Sequence, residues 1–83
     1  MKLDIRYFAW LRERVGTAAE QVETEAPTVA ALIDELRGRD EGYALAFADP
    51  GAIRAAIDHD LVDLDASLSG AREVAFFPPM TGG

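Results

Sequence analysis

The 83 residues include no cysteine. Disulfide staples and thiolate metal sites are therefore excluded, and no side-chain thiolate is available to act as a nucleophile or to hold sulfur. Positive charge is also scarce: eight Lys and Arg stand against fifteen Asp and Glu, for a net charge of −7. Affinity for nucleic acid rests on cations neutralising phosphates, so nucleic acid is not expected as a partner. An acidic surface meets a basic protein surface, or simply keeps a small domain soluble. No apolar run is long enough to cross a bilayer. The opening MKLDIRYFAW alternates charged and apolar residues and lacks the shape of a signal peptide. The expectation is a cytoplasmic protein with no membrane partner.

Catalytic constellations are missing too. There is no Ser-His-Asp set, no phosphate-binding glycine loop and no persuasive acid–base carboxylate pair. Asp58, His59 and Asp60 are consecutive, and consecutive residues rarely converge on one ion. A turn with polar tips accounts for them, and Asp63 and Asp65 read as solvated turn residues, so no metal site is expected.

What is present fits one small domain whose core is modest for its surface. In KLDIRYF (2–8), Leu3, Ile5 and Tyr7 alternate with Lys2, Asp4 and Arg6, the signature of a half-buried strand. Phe8 falls on the polar face. Arg12, Glu13 and Arg14 read as a solvated face, with the arginines able to meet acidic groups of a partner, and Trp10 as core packing. Gly16 marks a turn. EQVETE (20–25) suits a charged strand at or near an edge. APTVAALIDELRGR is the clearest helix: Thr28 caps it, Val29, Leu32, Ile33 and Leu36 form one apolar stripe, and Gly38 ends it. YALAF (43–47) is either a helical turn or a plug over the core, and ADPG (48–51) is a turn. AIRAAID alternates, with Ile53, Ala55 and Ile57 on one face. After a turn at His59 and Asp60, Leu61 and Val62 form a short strand, and LDASL (64–68) tucks in Leu64 and Leu68. REVAFF (72–77) is the last strand, with Val74 and Phe76 on one face and Ala75 and Phe77 on the other, and Pro78 and Pro79 stop it. One good helix among strands is expected to lie across one face of a mixed sheet of four to five strands, an α+β fold.

Residues 1–77 form the expected domain and residues 78–83, PPMTGG, an extended C-terminal tail. Six extended residues reach about 20 Å. Pro78 and Pro79 keep the neck straight, and Gly82 and Gly83 pass where a Cβ does not fit. The terminal carboxylate is then the only reactive group such a tail presents. It is a poor electrophile until activated, for example as an acyl-adenylate, after which sulfide gives a thiocarboxylate.

EVAFFPPMTGG (73–83) closely resembles the ending of the small sulfur-carrier subunits of molybdopterin synthase. RYFAWLRERVGT resembles that family's Phe-Ala-x-x-Arg-Glu-x-x-Gly stretch, PTVAALIDEL its helix, and DHDLVDLDASL its Asn-x-x-x-Val-x-x-Asp-x-x-Leu region. Asp58 stands where the family commonly has Asn, Gly70-Ala71-Arg72 where it has Asp-Gly-Asp, and Met80 where it has Val. The resemblance implies a ubiquitin-like β-grasp fold and a non-catalytic carrier. Gly83 bears the adenylate and then the sulfur, and Gly82, Thr81, Met80, Pro79 and Pro78 thread the tail into a partner. The implied partners are the large subunit, in a heterotetramer that supplies the catalytic side chains, an ATP-dependent adenylating enzyme and a sulfur-donor system. The implied acceptor is cyclic pyranopterin monophosphate, which takes two sulfurs. No stably bound cofactor is implied; ATP is used by the adenylating enzyme. Phe8 and Phe77, with Leu61 between them, are expected to form an apolar docking patch for these partners, unless the rings turn inward. A terminal Gly-Gly is shared with thiamine sulfur carriers and with ubiquitin. A carrier for thiamine or tungsten-cofactor synthesis, a protein modifier and a binding module with an inert tail therefore remain alternatives.

Overall fold

A computed structural model of the chain describes residues 1–79. Five strands form one mixed sheet: β1 (Lys2–Tyr7), β2 (Ala19–Glu23), β3 (Arg54–Ile57), β4 (Asp60–Val62) and β5 (Glu73–Phe77), in the order β2-β1-β5-β3-β4. The central pair β1 and β5 is parallel, with Tyr7 level with Phe76, and every other pairing is antiparallel. Alternation assigns the two faces: Leu3, Ile5 and Tyr7 of β1 and Val74 and Phe76 of β5 are buried together. Val22 and Thr24 are buried on and just beyond the edge strand β2.

The expected helix is α2 (Val29–Arg37). The Thr28 hydroxyl accepts the Ala31 N–H at 3.1 Å, and Val29, Leu32, Ile33 and Leu36 are all buried. Two further helices close the same side of the sheet. α1 (Ala9–Val15) begins after Phe8, which makes no side-chain cap, and ends at Gly16 in the left-handed conformation. α3 (Glu41–Ala46) is capped by Asp40, whose carboxylate accepts the Tyr43 N–H. This resolves the ambiguity over residues 43–47: Tyr43 to Ala46 are helical, and Phe47 beyond them is the plug. Phe47 meets Phe76 edge-to-face at 5.1 Å and Tyr7 at 6.3 Å. Where α1 and α3 meet, Gly42 packs against the Arg14 carbonyl so closely that a Cβ would come within 2.5 Å of it.

One polar cluster ties edge to helix. Tyr7 (2.8 Å) and Tyr43 (2.6 Å) both donate to Oε2 of Glu20, and Arg39 donates to Oε1 at 3.0 Å. Burial alone would disfavour the Glu20 charge, but the hydrogen bonds from Tyr43, Tyr7 and Arg39 outweigh it and lower the carboxyl below its ordinary range. Burial first, and then the bond to Glu20, push both tyrosine hydroxyls up. Thr24, the one buried polar side chain among the described residues, accepts from Ala26 N and donates to Glu35. None of the described helices is long and apolar enough to cross a membrane.

Candidate functional site

The helices cover one face of the sheet and leave the other bare. The strand registers set Arg6, Ala75, Ala56 and Leu61 in one row across this open face, from β1 through β5 and β3 to β4. Phe77 lies one step along β5. Phe8 follows β1, and its N–H donates to the Phe76 carbonyl at 3.1 Å. The rings of Phe8 and Phe77, the methyl groups of Ala9, Ala56 and Ala75, and Pro78 and Pro79 line a groove of about 740 Å³. Two alanines make the floor low between the aromatic walls. That floor was not singled out in the sequence, although Ala75 shares its alternation with Phe77.

Neither aromatic turns inward: Phe8 is 47% exposed, Phe77 is partly covered, and Leu61 is 72% exposed. Leu61 does not lie between the two rings. The strand order interposes β3 between β5 and β4, so Leu61 stands at the far end of the row, past Ala56. The expected grouping is thus corrected to a Phe8–Phe77 groove with Leu61 as an outlying apolar post.

The groove has a charged border. Arg6 Nε donates to Glu73 Oε1 at 3.1 Å, and His59 Nε2 lies 3.8 Å from Glu73 Oε2. His59 is carried by the β3–β4 turn, which consists of Asp58 and His59 rather than His59 and Asp60, since Asp60 already pairs with Ile57. Both turn residues have positive φ, 49° and 76°. Two-residue hairpins with two left-handed positions favour Asn, Asp and Gly, which explains why Asp is accommodated at 58. Its carboxylate also accepts the backbone N–H groups of Glu73 (2.9 Å) and Arg72 (3.1 Å). Gly70, in the other departure from the family pattern, takes a φ of 77° that glycine supplies without strain.

Trp10 is half-buried at the core margin with the Arg14 guanidinium 4.5 Å above its ring, and Arg12, Glu13 and Arg14 are exposed along α1. Pro78 and Pro79 leave β5 at the rim of the groove. The expected sulfur-bearing residue Gly83 and the threading residues Gly82, Thr81 and Met80 lie outside the described residues.

A mixed five-stranded sheet with the helices on one face and a parallel central pair, the second of which leads into the tail, is a ubiquitin-like β-grasp fold. The ThiS family model matches residues 5–83, and the chain belongs to that family. It is 43% identical over 81 residues to the molybdopterin synthase sulfur carrier subunit of Escherichia coli (strain K12), spanning 98% of this chain and 99% of that one. Among solved structures it resembles a putative molybdopterin converting factor subunit 1 from Pyrococcus furiosus, with TM-score 0.72 and 25% identity over 96% of this chain and 99% of that one. The fold alone is shared with a chain of the complex of subunits 1 and 2 of the molybdopterin-converting factor from Helicobacter pylori, with TM-score 0.65, 21% identity and full coverage of both chains.

Proposed function

We propose that this chain is the sulfur-carrier subunit of a molybdopterin synthase and that Gly83 carries the sulfur. The observation that supports the reading most is the route of β5. It leaves the centre of the sheet at Phe77 and runs through Pro78 and Pro79 along the lip of the open apolar groove. A partner seated in that groove is placed to receive whatever follows Pro79. The absence of cysteine removes side-chain thiols as holders of the sulfur and leaves a carboxylate such as that of Gly83 for the task. Membership of the ThiS family and the name of the Escherichia coli relative supply the chemical class.

The chemistry balances without a catalytic side chain from this protein. The Gly83 carboxylate attacks the α-phosphorus of ATP and pyrophosphate leaves. A sulfide equivalent then attacks the acyl carbon and AMP leaves, giving the thiocarboxylate. The thiocarboxylate sulfur attacks a carbon of the pterin precursor, forming a carbon–sulfur bond as a carbon–oxygen bond of the precursor breaks. Water then cleaves the acyl–sulfur bond, leaving the sulfur on the pterin and a carboxylate on the terminus. Two loaded carriers serve each dithiolene. A large subunit docks on the groove through Phe8, Phe77 and Leu61 and supplies the reacting side chains. The adenylating enzyme uses the same face, so the two partners exclude one another.

Reconstitution tests this directly. Thiocarboxylated protein, a large subunit and cyclic pyranopterin monophosphate are combined and dithiolene formation is followed. Full-length protein is expected to support it and a form lacking Gly83 is not; equal performance contradicts the assignment.

A further inference from the structure

The chain contains one lysine, Lys2, against seven arginines. Arginine stays protonated and is no acyl acceptor, whereas lysine has a neutral, nucleophilic fraction of about 1% near pH 8.5. The fold places that one ε-amine far from the end of β5, where the tail begins. Because β1 and β5 are parallel with Tyr7 level with Phe76, Phe77 stands level with Phe8, six residues further along than Lys2. At about 3.3 Å per residue the separation is roughly 20 Å. The Met1 ammonium is at the same remote pole, donating to the Thr24 carbonyl at 2.9 Å and lying 3.3 Å from Glu25. The six residues after Phe77 span at most about 20 Å even when fully extended, and β5 is directed away from Lys2 where it reaches Phe77. Reversing course spends about four residues on a turn. The two that remain return roughly 7 Å, well short of Lys2.

We propose that this separation protects an activated Gly83 from capture by its own molecule, and that Lys2 of a second copy is the only lysine through which two copies can be joined. The inference rests on the carrier reading for its biological setting, but its geometry is independent of it. In the capture reaction a neutral amine attacks the Gly83 acyl carbon, a C–N bond forms, the acyl–oxygen or acyl–sulfur bond breaks, and AMP or thiol leaves with a proton released to solvent. At the tail root the basic side chains are arginines. Arg54 is level with Phe77, and Arg12 lies one helical turn past Phe8.

The experiment uses a Gly83 thioester prepared by intein cleavage, which needs no adenylating enzyme and so can fail while the carrier reading stands. Wild type, Arg54→Lys and Arg12→Lys are incubated near pH 8.5 and followed by intact mass and peptide mapping. The wild-type thioester is expected to be lost to hydrolysis or, at high concentration, to dimers joined at an amine of a second copy, whose side-chain-linked fraction maps to Lys2 and disappears in Lys2→Arg. At least one of the arginine replacements is expected to form an internal amide at a rate independent of concentration. A short tether gives a millimolar effective concentration, so at ~100 μM protein this exceeds intermolecular capture by roughly tenfold or more. Concentration-independent capture of wild type at Lys2 or Met1 overturns the proposal, as does the failure of both replacements to form the ring, or a dimer linked through any other side chain.

Discussion

Asp58 reaches from the β3–β4 turn to accept the backbone N–H of Glu73 at 2.9 Å, while its own N–H donates to the Glu73 carbonyl at 2.9 Å. This double link clips the hairpin onto β5 beside the groove and sets where His59 stands. Asp58→Ala removes an acceptor for two backbone donors and puts Ala at a left-handed position. It is expected to lose about 1–3 kcal/mol. Asp58→Asn retains the turn preference and one acceptor and is expected to lose under about 1 kcal/mol. Urea midpoints at constant m-value separate the two.

Glu20 gathers two tyrosine hydroxyls and Arg39 on one carboxylate, so its charge is tied to folding. Its carboxyl is lowered in the folded state. The stability it supplies is therefore complete above the unfolded value of about 4.3 and is lost as pH falls through the lowered folded value. The stability gap between wild type and Glu20→Gln is expected to be full at pH 7 and to narrow below about pH 4. A constant gap down to pH 2 contradicts this.

Gly42 is required for closeness rather than for φ. Gly42→Ala forces its Cβ against the Arg14 carbonyl and is expected to push α1 and α3 apart at a cost of about 1–3 kcal/mol, despite the better helix propensity of Ala. Thermal unfolding reads the sign.

Leu61 and Phe8 are exposed, so shortening them separates docking from folding. Leu61→Ala is expected to change stability by no more than about 0.5 kcal/mol. It should weaken large-subunit binding by about tenfold, and Phe8→Ala more strongly, up to about 30-fold. Calorimetric titration checks both, and unchanged affinity in both variants removes the groove as the docking face.

The five strands and α2 are legible in the sequence because alternation and the Val29–Leu36 stripe are local signals. α1 is not: seven residues with one fully buried side chain, no side-chain cap and a left-handed Ala9 (φ 54°) carry no helical period. The Glu20 cluster joins residues 7, 20, 39 and 43, and no local pattern announces a contact between separate elements. The outward faces of Phe8 and Phe77 follow from alternation, whereas the two-residue pattern Leu61-Val62 is too short to assign a face to Leu61. The spacing of Phe8, Phe77 and Leu61 is not legible, because it depends on the insertion of β5 between β1 and β3.

The sharpest test of sulfur carriage at Gly83 is the intact mass of the protein after incubation with ATP, an adenylating enzyme that acts on carriers of this family and a sulfide source. The account predicts a gain equal to exchanging one oxygen for sulfur, located by fragmentation to Gly83 and abolished when Gly83 is deleted. An unchanged mass, or sulfur found on any other residue, contradicts it.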